Sequence, residues 1–128
     1  MSYYFSRSLD APFDAAEAKV REALAAEGFG VLTEIDVAAT MKAKLGADFR
    51  PYKILGACNP TLAHEALKLE DKVGTMLPCN VVLQDAGEGR VEVAAIDPVA
   101  SMQAIPNPQL KEKAQLVADK LRAVLARL

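Results

Sequence analysis

The sequence predicts an α+β fold of two layers, an antiparallel sheet of about five strands with two long helices on one face. Three observations carry that expectation. Four strand-like segments follow one another between residues 29 and 97, with only short helix-like stretches inside their connections. Two longer segments of helical periodicity lie towards the two ends of the chain. Between the last two strands, Ala86-Gly87-Glu88-Gly89 has the composition of a tight hairpin turn. Successive strands with helices set apart from them pack as a layered α+β structure, not as alternating βα units.

The chain opens on a strand-like stretch from Tyr3 to Leu9. Asp10 and Pro12 mark a helix start, since proline near the first helical position loses no hydrogen bond. Phe13, Ala16, Val20, Ala23 and Leu24 then recur at three- and four-residue steps, and Gly28 closes the helix in the left-handed conformation that glycine adopts cheaply. Phe29, Val31 and Ile35 alternate with Gly30, Glu34 and Asp36 as in a half-buried strand, although Leu32 and Thr33 blur the pattern. A short helix from Val37 to Leu45 ends at Gly46, and a loop leads to a strand from Tyr52 to Cys58.

Asn59-Pro60 reads as a helix cap followed by a first-turn proline, with the helix continuing from Thr61 to Glu70. Asp71 to Pro78 is a connection, and Cys79–Asp85 and Arg90–Asp97 form the hairpin. Pro98 to Pro106 is irregular or a brief helical turn. Asn107 caps the last helix and Pro108 starts it; Leu110, Ala114, Val117, Leu121, Val124, Leu125 and Leu128 make its core stripe. Parallel pairing across Thr61–Glu70 is the alternative topology. About ten helical residues span only ~15 Å, short for a crossover over a full strand.

The chain has 128 residues, 52% hydrophobic and 25% charged, which suits one soluble domain over 1–128 with its core built from Ala, Val, Leu and Ile, since there is no Trp. A net charge of −2 without a basic stretch argues against nucleic-acid binding. No secretory signal pattern and no run approaching the ~18 apolar residues of a membrane span is visible, so a cytoplasmic location away from membranes is expected. In that reducing compartment the two cysteines are read as free thiols or metal ligands before a disulfide.

Those cysteines open the search for a site. Each is followed by asparagine at the edge of an apolar run, as Cys58-Asn59 and Cys79-Asn80. In the antiparallel order the end of the Cys58 strand, the start of the Cys79 strand, Asp97 and the Gly28–Gly30 turn all meet at one end of the sheet. Cys58, Asn59, Cys79, Asn80 and Asp97 are therefore the ligand-binding candidates. In the parallel order the cysteines would stand roughly 20 Å apart, at ~3.3 Å per residue.

Cys58 precedes a helix cap, where the positive end of the helix dipole favours a thiolate. Its plainer role is a buried strand-end residue with Asn59 merely capping. Cys79 leads into Val81-Val82-Leu83 and reads as packing. His64, the only histidine, makes a weak zinc set with Cys58 and Cys79. Without the close ligand pairs of recognisable zinc sites, it reads better as a solvent-facing helix residue, and no metal is favoured. Glu34 and Asp36 share a strand face near Lys42 and Lys44 and are read as a solvated patch before an acid–base pair. No Ser-His-Asp order, phosphate-binding glycine loop or nucleotide fingerprint is present.

Three longer motifs carry a family resemblance: Gly28-Phe29-Gly30-Val31-Leu32-Thr33-Glu34-Ile35-Asp36-Val37, Leu55-Gly56-Ala57-Cys58-Asn59-Pro60 and Leu77-Pro78-Cys79-Asn80-Val81. They strongly resemble the bacterial and archaeal domain-of-unknown-function family 302, over nearly the whole chain. The resemblance implies a two-layer α+β fold of TATA-binding-protein-like outline, with a curved antiparallel sheet and two helices, and it suggests a homodimer. It implies no activity.

The expected protein is a small cytoplasmic ligand-binding or accessory module, a homodimer with a cleft at the cysteine end of the sheet and a small-molecule ligand there. A thiol- or metal-dependent enzyme using Cys58, Cys79 and His64 is the second reading, and a structural or protein-interaction module the third. Whether it is an enzyme, and with what cofactor, stays open. The homodimer is expected because one sheet face must leave either Leu55 and Ala57 or Val82 and Ala94 without helices over them.

Overall fold

In the computed structural model, which describes residues 2–128, strands β2 (Gly30–Asp36), β3 (Tyr52–Cys58), β4 (Cys79–Gly87) and β5 (Arg90–Ile96) pair in chain order. β1 (Tyr4–Asp10) returns beside β5, so the sheet order is β1-β5-β4-β3-β2 with every pair antiparallel. The pairs Leu55–Val81 and Ala57–Cys79 exclude the parallel alternative.

Helix α1 (Phe13–Ala26) begins one residue after Pro12, and Gly28 at φ 84° turns the chain out of it. Asp10 ends β1 instead of opening α1, and its carboxylate meets Arg90 at 3.3 Å. Asp36 caps α2 (Val37–Leu45), accepting from the Ala39 N–H at 2.9 Å. Asn59 caps α3 (Pro60–Leu69), and a 3₁₀ turn (Asp71–Met76) occupies the connection to β4. Asp97 caps the four-residue α4 (Pro98–Ser101), and Asn107 caps α5 (Pro108–Ala126). The blurred alternation in β2 has a physical cause: the register shifts between Val31 and Thr33, leaving Leu32 as an extra, exposed residue in a bulge.

Alternation in the strands sorts residues onto two faces. One face carries Leu55, Ala57, Val81, Leu83, Val93 and Ala95, buried under Ala16, Val20 and Leu24 of α1 and Leu121, Val124 and Leu125 of α5. Truncating a fully buried member such as Leu121 to alanine is worth about 2–5 kcal/mol. The other face bears a row of cross-strand neighbours, Ile35–Ile54–Val82–Ala94, with neither long helix above it. A second apolar cluster, with Ala66, Val73, Met102, Leu110 and Ala114, joins α3, the 3₁₀ turn, α4 and the start of α5 at the cysteine end of the sheet. Among the described residues no helix is long and apolar enough to cross a membrane.

Candidate functional site

The seam between these two clusters is a cavity. Ala57 is the register partner of Cys79, so Cys58 leaves β3 one residue beyond that pair and turns directly into the cap of α3. Cys79 begins β4 and is buried. Cys58, Asn59 and Cys79 line a partly open apolar pocket of about 40 Å³, with Ala66 of α3 and Ala114 of α5 also in its wall. A cavity of that size holds a water or a ligand of a few atoms.

Asn59 is held by its capping bond, its Oδ1 accepting from the Leu62 N–H at 3.2 Å. Gly28 leaves room for it, since a Cβ there would stand 3.2 Å from Asn59 Nδ2. Met102, buried at the end of α4, and Lys113 of α5, which pairs with Glu65 at 2.8 Å, complete the lining. Neither Met102 nor Lys113 emerges from the sequence: Met102 lies in a stretch without periodicity, and Lys113 is one of several charges on the polar side of α5.

Burial pushes the Cys58 thiol up from its ordinary value. Burial, then the neighbouring Cys58, pushes Cys79 up to about 11. Of the two readings of Cys58, this agrees with the buried strand-end residue and not with a thiolate favoured by the α3 N-terminus: loss of water dominates, and both sulfurs are protonated at neutral pH. Both cysteines are free.

The rest of the expected cluster disperses. Asn80 follows Cys79 along the same strand and so points to the opposite face, where it lines a shallow concavity of about 330 Å³ with Tyr4, Tyr52, Val82, Gln84 and Ala94. Asp97 does arrive at the cysteine end and is buried, but its Oδ1 accepts from the Val99 N–H at 3.0 Å and it lies outside the cavity lining. His64 is exposed on α3 and is absent from that lining. Among the described residues no three His, Cys, Asp or Glu side chains gather closely enough to hold a metal ion.

Glu34 and Asp36 also part: Glu34 meets Lys53 at 2.8 Å and Arg21 at 3.5 Å, while Asp36 caps α2. Lys42 pairs with Asp48 instead of either carboxylate. The two carboxylates thus hold separate partners within the fold.

The crystal structure of an uncharacterized conserved protein, DUF302, from Bacillus stearothermophilus is similar throughout. Its TM-score is 0.91 at 30% identity, with 99% of this chain and 98% of that chain covered. No curated protein matches the chain. The model of the family described as domain of unknown function DUF302 matches residues 5–128. With near-complete coverage in both comparisons, this chain belongs to the DUF302 family.

Proposed function

We propose that the chain is a small cytoplasmic binding module that takes a ligand of a few atoms in the cavity at the cysteine end of the sheet. The observation that supports this reading is the apolar pocket lined by Cys58, Asn59 and Cys79. Its size argues against a nucleotide or sugar, which need several hundred Å³. Binding is favoured over thiol catalysis because both thiols carry their protons at neutral pH and no histidine lines the cavity to act as base.

Xenon is a suitable probe, being apolar and monatomic. Saturable xenon-induced shifts at Ala57, Ala66 and Ala114 in NMR spectra, lost in Ala63→Leu, are the expected result. Shifts that never saturate, or that survive filling of the cavity, defeat the reading.

The family resemblance and the open sheet face together support a homodimer as the working form. The row Ile35–Ile54–Val82–Ala94 is uncharged, and Ile35 at its end is 48% exposed. A two-fold axis through this row lays it on its own copy, so the surface is complementary to itself.

A further inference from the structure

We propose that the open face of the sheet carries a second ligand site, for a small zwitterion of the α-amino-acid class with an apolar side chain, held between Arg50 and Glu92. It is independent of the cavity at the cysteine end. Register sets Tyr52 beside Gln84 and Gln84 beside Glu92, a row two residues along from Ile54–Val82–Ala94 on the same face. Tyr52, Gln84 and Glu92 are all half-buried, and with Val82 and Ala94 they line the concavity of about 330 Å³. That volume lies in the range of small-molecule sites.

A chain of hydrogen bonds orients the two charges. Arg50 Nε donates to Gln84 Oε1 at 2.9 Å, and Gln84 Nε2 donates to Glu92 Oε1 at 3.1 Å. The amide has only this orientation open to it, because a guanidinium offers only donors and an ionised carboxylate only acceptors. Gln84 thereby spaces two opposite charges at most about 8 Å apart and keeps them from neutralising each other. The Arg50 guanidinium is steadied a second time, 4.5 Å from the centre of the Phe49 ring and 5.6 Å from that of Tyr52. Among the described residues neither Arg50 nor Glu92 belongs to an ion pair.

Two oriented, opposite charges without ionic partners call for a ligand that carries both. An α-amino acid has its ammonium and carboxylate about 3 Å apart, and a charge-assisted hydrogen bond of about 2.8 Å at each end matches the spacing that Gln84 sets. An amine or a simple carboxylate satisfies only one of the two. Glu92 is the only charged side chain lining the concavity, which argues against a nucleotide or another polyanion. Val82, Ala94 and the Tyr52 ring supply apolar surface for the ligand's side chain.

The test is an NMR titration of the isotope-labelled, full-length chain at neutral pH with three compounds of one shape. They are L-leucine, 3-methylbutylamine, which lacks the carboxylate, and 4-methylpentanoate, which lacks the ammonium. Leucine should give saturable shifts centred on the Gln84 and Glu92 amides with one ligand per chain, and each analogue should bind about 10-fold more weakly. Glu92→Gln should weaken leucine about 10-fold without weakening 4-methylpentanoate. Arg50→Met should weaken leucine and 4-methylpentanoate without weakening 3-methylbutylamine. A merely structural role for either residue does not produce that crossed pattern. Neither residue belongs to the apolar core; should a variant still fail to fold, the three compounds on the wild type decide. No saturable leucine binding, shifts centred elsewhere, equal affinity for all three compounds, or one ligand for two chains each overturn the inference.

Discussion

Lys53 Nζ lies 2.8 Å from Glu17 Oε1, tying the start of β3 to the helix that crosses it. The same ammonium meets Glu34 Oε1 at 2.8 Å, and Arg21 holds the other Glu17 oxygen at 3.0 Å. Register pairs Lys53 with Asp36, so the cluster closes the helical face where the apolar core runs out towards the β2 edge.

Acid should reveal this cluster. Burial alone raises the Glu17 carboxyl, but its hydrogen bonds with Lys53 and Arg21 outweigh burial and hold it below the ordinary value. A carboxylate depressed in the folded state stabilises above its unfolded pKa, about 4.3, and that stability is lost as pH falls through the folded value. Glu17→Gln should therefore cost about 1–2 kcal/mol at pH 7 and progressively less below pH 4. Urea midpoints across that range check it. An equal cost at pH 3 and pH 7 means the charge does not matter.

Gly56 should not tolerate a methyl group. On the open face of β3, a Cβ there would overlap Thr33 Oγ1 and stand 2.6 Å from Pro78 Cγ. Gly56→Ala should cost about 1–3 kcal/mol by overpacking. Thr33→Ala in the same chain should recover part of the loss, because Pro78 still crowds the site. Strictly additive unfolding free energies in the double variant would show that the two positions do not touch.

Alkali should unmask the buried thiol. Cys79 titrates at about 11 when folded, against an ordinary value of 9.0. A raised folded pKa means its stability is complete below the unfolded value and is lost as pH climbs from about 9 towards 11. The full amplitude is about 2–3 kcal/mol. Lys53, raised by its hydrogen bonds to Glu17 and Glu34, loses stability in the same direction at still higher pH. Only the difference between wild type and Cys79→Val isolates the thiol. That difference in urea midpoints should narrow from pH 8 to pH 10.5; a constant difference contradicts the buried, protonated sulfur.

The sequence made the elements legible because most begin or end on residues with one local job. Asn59-Pro60 and Asn107-Pro108 start helices by capping, and Gly46 ends one at φ 64°. The hairpin turn at Glu88-Gly89, both at positive φ, was equally local. The site was half legible. Antiparallel order brings Cys58, Cys79 and Asp97 to one end of the sheet, yet proximity to an end does not decide a face. Consecutive strand residues tend to opposite faces, and Asn80 lines the concavity on the open face while Cys79 lines the cavity. Lys53 pairs with Glu17 across 36 residues and Met102 joins the cavity wall from an aperiodic stretch, and no local pattern encodes either placement.

A charge in the middle of the open face should separate the copies. Ile54 is flanked in register by Ile35 on one side and Val82 on the other, and it is not part of the core under α1 and α5. Ile54→Lys therefore places an ammonium at the centre of the apolar row without opening a cavity in that core. In a two-fold dimer the two lysines would face each other in a desolvated interface, where an unpaired charge costs several kcal/mol. Light scattering at micromolar concentration should give twice the chain mass for the wild type and the chain mass for Ile54→Lys, with the circular dichroism unchanged. A wild-type mass equal to one chain, independent of concentration, rules out the homodimer. A variant that stays dimeric with its helices intact moves the interface off this face.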